Sequence, residues 1–221
     1  LAFGGGNLSA TTCTEHYNGS TWAAGGALIN ARRRTAGAGV QYDARAFGGE
    51  APGVLNFTEA YNGGTWSIDK PLTTSRSALA GAGTQTSALI FGGQTPTVVG
   101  NTEEYTCATN TCVGAWSVGG DLITARSGGG GFGTPTALIA ATGDNVPSVT
   151  TATEQYDGTS WSAQSSNNCG RCAVGGFGTA AAGVLAGGMC NNSFFNATEE
   201  YDGSSWANGP NMINTLRYLI K

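Results

Sequence analysis

Short apolar runs, each closed by a glycine pair, punctuate the chain: ARAFGG at 44–49, ALIFGG at 88–93 and GVLAGG at 183–188. A fourth run, ALIAATG at 137–143, ends on Thr142-Gly143 instead. At four to six residues they are too short for helices and read as buried strands. A second motif follows each run, alternating polar and apolar positions: TEHY at 14–17, TEAY at 58–61, TEEY at 102–105, TEQY at 153–156 and TEEY at 198–201. Four of these lead into Asn-Gly or Asp-Gly and then Trp, the composition of a tight hairpin whose turn residues need positive φ. Behind the tryptophans lie glycine-alanine stretches: TAGAG, ALAGAG, GGGGFG and AVGGFG. No apolar 3.6-residue period is sustained long enough for a helix, so the pattern predicts an all-β chain of short strands.

The repetition sets the architecture. The five tryptophans, Trp22, Trp66, Trp116, Trp161 and Trp206, are all that the protein has, and each stands five residues after its tyrosine except in the third copy. There the stretched phrase TEEYTCATNTCVGAW spans 102–116. Ten residues beyond Trp comes Arg32, Arg76, Arg126 or Arg171; in the last copy that place is Leu216, with Arg217 one step on. Each repeat reads as four short antiparallel strands, one blade of a propeller. The glycine-alanine strand belongs at the crowded axis, and Tyr and Trp belong on the outer strands. The chain opens on a second strand and closes on a first strand (214–221). Pairing the C-terminal strand with the N-terminal blade is therefore expected to close a five-bladed ring and remove both sheet edges. The expected single domain, 1–221, divides into blades at about 1–25 plus 210–221, 26–70, 71–120, 121–165 and 166–209.

The order of apolar run, Gly-Gly, Glu-x-Tyr, Trp and Arg resembles the kelch repeat over essentially the whole chain. It departs from it by trimming the loop between Tyr and Trp to Asx-Gly plus two residues. This compressed form resembles kelch-like repeats of phage and virion structural proteins and of secreted surface proteins. The resemblance implies a five-bladed kelch-like β-propeller that serves as a binding scaffold.

Composition narrows the function classes. With 37 glycines, 40% hydrophobic and 11% charged residues, the chain does not match a disordered acidic segment. The net charge is −4, and Arg32-Arg33-Arg34 is the one basic cluster, so nucleic acid is not an expected partner. No run has the length of a membrane-spanning helix, and membrane insertion is not expected. The start without Met, in mid-pattern at LAFGGG, is expected of a processed protein or an excised piece of a longer one.

Candidate chemistry is sparse. Glu15, Glu59, Glu103, Glu154 and Glu199 recur once per repeat beside Arg76, Arg126, Arg171 and either Arg32 or Arg33, and are expected to form buried structural pairs rather than a ring of acids. Glu50, Asp43, Asp69, Asp121 and Asp144 stand outside the repeat, and no two are spaced as an acid/base pair. His16, the single histidine, occupies the variable place between Glu and Tyr and is expected at the surface. Some kelch-fold oxidases bind copper through histidines; one histidine does not match that set. The glycines precede no helix and form no phosphate loop. No catalytic residues, cofactor or metal are assigned, and the chain is not expected to be an enzyme.

Six cysteines suggest a disulfide framework and an oxidising compartment. Cys107 and Cys112 flank the insertion in the third hairpin and are expected to pair locally. Cys169–Cys172 and Cys13–Cys190 would staple the last blade to the closing one, with Cys172–Cys190 a competing pair. A four-cysteine zinc site is the alternative reading. Sequons at Asn7, Asn18, Asn56, Asn191 and Asn196 agree with secretion, although about three are expected by chance at this composition.

Specificity is expected where the copies differ. Those places are VQYDAR at 40–45 with Tyr42, Asp43 and Arg45, the loop 107–112, TGDNVPSVT at 142–150, and MCNNSFFNAT at 189–198. Phe194 and Phe195 are the leading contact candidates, since aromatic anchors favour interfaces. The expected function is a non-enzymatic structural or adhesive module of an extracellular or virion surface, within a larger assembly or filament, with a protein partner. The alternative is a lectin-like propeller that takes a glycan between blades through Trp and Asn or Asp.

Overall fold

The protein is a five-bladed β-propeller, seen in a computed structural model that describes residues 1–6, 9–108, 114–190 and 193–214. The first blade holds β1 (Ala2–Phe3), β2 (Thr14–Tyr17) and β3 (Trp22–Ala24). The second holds β4 (Ala36–Val40), β5 (Asp43–Phe47), β6 (Thr58–Tyr61) and β7 (Trp66–Asp69), and the third β8 (Ala80–Gly83), β9 (Ser87–Phe91), β10 (Thr102–Thr106) and β11 (Ala115–Val118). The fourth comprises β12 (Gly130–Thr134), β13 (Ala137–Ala141), β16 (Thr153–Tyr156) and β17 (Trp161–Gln164), with a side hairpin of β14 (Asp144–Asn145) and β15 (Ser148–Val149). The fifth comprises β18 (Gly175–Thr179), β19 (Ala182–Ala186), β22 (Thr198–Tyr201) and β23 (Trp206–Asn208), with the side hairpin β20 (Met189–Cys190) and β21 (Ser193–Phe194). Each blade is an antiparallel meander from axis to rim. The first blade shows three strands among the described residues; the expected pairing of 214–221 with β1 falls almost wholly outside them.

Glycine and alanine make the axis. Strands β4, β8, β12 and β18 run side by side around it. A Cβ on Gly176 would stand 2.9 Å from the Gly131 amide nitrogen, so the backbones approach as closely as they do because that side chain is absent. At one end of the axis a backbone chain links the blades. The Ala78 amide donates to the Arg34 carbonyl at 2.9 Å, Gly128 to Ala78 at 2.8 Å and Ala173 to Gly128 at 2.7 Å. Arg34, Ala78, Gly128 and Ala173 all hold φ between 52° and 61°, a left-handed conformation that three of them adopt without being glycine.

The turns between Tyr and Trp lie where expected but are of another type. Only the glycine takes positive φ, as at Gly19 (97°) and Gly203 (96°), and the chain spends four residues rather than two between strands. The side-chain oxygen of Asn18, Asn62, Asp157 or Asp202 accepts two backbone amides ahead of it, at 2.8–3.0 Å. That Asx capping replaces the second positive-φ residue.

The core lies between blades, in four clusters. Phe3 with Tyr61 and Trp66 joins the first blade to the second, and Phe47 with Tyr105 and Trp116 the second to the third. Phe91 with Tyr156 and Trp161, then Phe132 with Tyr201 and Trp206, join the next two pairs. Burying one such ring is worth about 2–3 kcal/mol. Three of the tryptophans also donate their indole N–H to a threonine of the preceding blade: Trp66 to the Thr14 hydroxyl (2.9 Å), Trp161 to Thr102 (2.9 Å) and Trp206 to Thr153 (3.0 Å). Trp116 donates to the Lys70 carbonyl instead.

Candidate functional site

Most of the polar residues singled out in the sequence are built into the frame. Glu59, Glu103, Glu154 and Glu199 are buried against Arg32, Arg76, Arg126 and Arg171. The pairs tie each blade's entry segment to its third strand. Glu59 also accepts the Ile29 amide (2.8 Å), and Arg76 also donates to the Gly92 and Asn101 carbonyls. Burial pulls the Arg32 and Arg126 guanidinium groups down in pKa, with Glu59 and Glu154 opposing it. Arg32 rather than Arg33 is the repeat arginine. Glu15 departs from the pattern and is exposed, and the residues at its arginine's place, Leu216 and Arg217, lie outside the described residues.

A second set of polar contacts, missed in the sequence, secures the tyrosine hydroxyls across the junctions. His16 Nε2 lies 2.7 Å from the Tyr61 hydroxyl and its ring stacks on Tyr42 at 5.1 Å, so this histidine is half-buried between blades rather than a surface residue. Glu104, at the same place in the third copy, accepts from Tyr156. The second copy has Ala60 there, and Asp69 takes over, accepting from Tyr105 at 2.5 Å. Burial, reinforced by these carboxylates, pushes both phenols well above the usual range. The buried Arg45 completes this cluster, 3.2 Å from Asp69, over the Tyr105 ring and 3.7 Å from Cys107 Sγ. Arg45, expected as a contact, is buried in blade packing; Tyr42 stacks on His16 and stays exposed, and Asp43 lies in β5 opposite Val40.

The cysteine expectations need correction. Cys13, Cys169, Cys172 and Cys190 are free thiols, so Cys169–Cys172, Cys13–Cys190 and Cys172–Cys190 are not bonds here. The buried Arg171 pins the backbone between Cys169 and Cys172. Beyond it Cys172 pairs with Met189, while Cys169 stays in the segment that caps Glu199. Cys13 and Cys190 belong to different blades, the first and the fifth. The Cys107–Cys112 pairing involves Cys112, which lies outside the described residues. No group of three or more His, Cys, Asp or Glu side chains is placed to hold a metal among the described residues. Of the sequons, Asn18 lies in an exposed turn. The half-buried Asn56 and Asn196 donate their amides to the Leu72 and Met212 carbonyls, and Asn7 and Asn191 lie outside the described residues.

Side chains that vary from copy to copy meet at one end of the axis. There the entry segments pair with the loops after the apolar runs: Arg33 with Glu50, Ser77 with Gln94, Ser127 with Asp144 and Cys172 with Met189. Glu50 gathers Arg33 (2.9 Å), Arg34 (3.6 Å) and the Ser77 hydroxyl (3.2 Å). Burial pushes the Cys172 thiol up, with Asp144 and Cys190 adding to the rise and Arg34 opposing it. A thiol shifted that way is a poor nucleophile at neutral pH. The hairpins β14–β15 and β20–β21 rise from this same face, and β21 carries Phe194, 47% exposed, followed by the half-buried Phe195. The face can offer guanidinium, carboxylate and aromatic contacts to a partner. Its signal in the sequence was variability alone.

No family model matches the chain, and no curated protein matches it. Among solved structures it is similar to the structure of YjhT, at 12% identity and a TM-score of 0.77, over 99% of this chain and 85% of that one. At that identity the likeness establishes the β-propeller and nothing about activity.

Proposed function

We infer that the chain is a non-enzymatic structural or adhesive module of an extracellular or virion surface, built on a compressed kelch-type repeat. It engages a protein partner, another subunit of an assembly included, through the axial face that carries Arg34, Glu50, Asp144 and Phe194. One observation carries this reading: the repeated acids and arginines are consumed in buried pairs, while the side chains that vary collect on one face. The glycan reading is weakened by the use of Trp66, Trp161 and Trp206 inside blade junctions. Negative-stain electron microscopy of native material tests the proposal. Filaments, or discs attached to larger particles, support it. Isolated small discs that bind saturably to one sugar in a glycan screen replace it with the lectin reading.

A further inference from the structure

Every blade junction is assembled from the same two halves. The later blade presents its Tyr–Trp pair; the earlier blade presents an aromatic ring and an acceptor for the indole N–H. At one place both halves stand unmatched. Tyr17 and Trp22 of the first blade are 42% and 55% exposed, against 0–2% for Tyr61, Tyr105, Tyr156 and Tyr201 and 6–9% for Trp66, Trp161 and Trp206. On the fifth blade Phe177 holds the place in GGFGT that Phe132 holds in the fourth. Phe132 is fully buried against Tyr201 and Trp206, whereas Phe177 is 50% exposed with no ring against it among the described residues. Thr198, the counterpart of the indole acceptors Thr14, Thr102 and Thr153, is only half-buried and donates to the Pro210 carbonyl.

The geometry points to a docking site, between the fifth and first blades, for one further blade of this same repeat, in line with the other five. A blade carries both halves of the junction on its two faces. Its aromatic ring and threonine would receive Tyr17 and Trp22, and its own Tyr–Trp pair would cover Phe177 and use the Thr198 hydroxyl. Lesser occupants do not fit as well. A strand added beside β1 lies three strand spacings, roughly 14 Å, inward of Trp22 on β3 and leaves that indole uncovered. A second copy would have to bring a five-bladed disc into a gap bounded by two blades. The added blade needs a glycine-alanine inner strand, for the reason that β18 has one beside β12.

The test begins with the 221-residue chain. Iodide quenching of Trp22 is read as the difference between the chain and its Trp22→Phe variant, with light scattering to fix the mass. Trp22 is expected to be quenched several-fold more strongly than the average of the other four tryptophans in a monomer. Trp22→Ala is expected to move Tm by no more than about 2 °C, while Trp161→Ala lowers it by on the order of 10 °C. A six-repeat chain, made by duplicating residues 121–165, is then expected to shield Trp22 and to melt higher. Shielding of Trp22 in the five-repeat monomer would overturn the proposal, because the ring then closes on itself. Shielding only in a dimer would overturn it in favour of a second copy. A folded six-repeat chain with Trp22 still open would overturn it outright. If the duplicated chain does not fold, equal losses of Tm from Trp22→Ala and Trp161→Ala in the five-repeat chain still refute it.

Discussion

At the scale of single residues the frame depends on buried charges, each set against an opposite one. Arg126→Ala leaves Glu154 buried without its partner and is expected to cost about 3–5 kcal/mol in urea denaturation. Arg33→Ala removes a partly exposed pair with Glu50 and is expected to stay within about 1 kcal/mol. The turn acids give a pH-dependent counterpart. The Ser205 and Ser204 amides, then their hydroxyls, hold Asp202 at about 2, below its ordinary 3.8. A depressed carboxyl stabilises the fold fully above its unfolded value and loses that contribution as pH falls through its folded one. The Asp202 turn should therefore hold down to about pH 4 and weaken towards pH 2, read by the amide shifts of Ser204 and Ser205. Asp202→Asn should keep the turn and abolish that titration, because Asn18 and Asn62 hold the same two-amide geometry without a charge.

At the scale of elements the decisive feature is how rings of one blade rest on the backbone of the next. A Cβ on Gly183 in β19 would fall 2.0 Å from the Phe132 ring, which is fully buried and has nowhere to withdraw. Gly183→Ala is expected to cost about 1–3 kcal/mol by overpacking. Gly53→Ala, where nothing lies within 4 Å and φ is ordinary, should be neutral. Urea titrations of the two variants side by side check both. The strands themselves were legible beforehand: the apolar runs became β5, β9, β13 and β19, and each TExY became the strand that leads into the Tyr–Trp turn. The turn type was not, because Asx-Gly suits a two-residue type I′ turn as well as the four-residue loop that forms. The choice rests on whether the Asx oxygen reaches the two amides ahead of it.

At the scale of the whole molecule, stability is a sum over junctions between neighbours. The third blade is flanked on both sides by a buried cluster, whereas the first blade has one with the second and an open Tyr17–Trp22 face. Hydrogen exchange should therefore be slowest in β9 and β10 and markedly faster in β2 and β3, a gradient that mass spectrometry resolves segment by segment. Equal protection in the two blades would show that the first blade's outer face is covered in solution.

The sequence by itself determined the repeat, the four-strand blade, the small-residue axis and the pairing of Glu59, Glu103, Glu154 and Glu199 with an arginine, because each is a local pattern repeated at a fixed period. Tertiary structure decided the rest. His16, Glu104 and Asp69 do one job, holding a tyrosine hydroxyl of the next blade, from two different places in the repeat, so no aligned column reveals it. Arg45 and Tyr42 looked like loop variation until Asp69, Tyr105 and His16 were brought beside them. The cysteines follow the same rule. Their spacing allowed several bonds, but Cys13, Cys169, Cys172 and Cys190 are free, and the backbone between Cys169 and Cys172 is held by Arg171, which is a property of the fold rather than of the spacing.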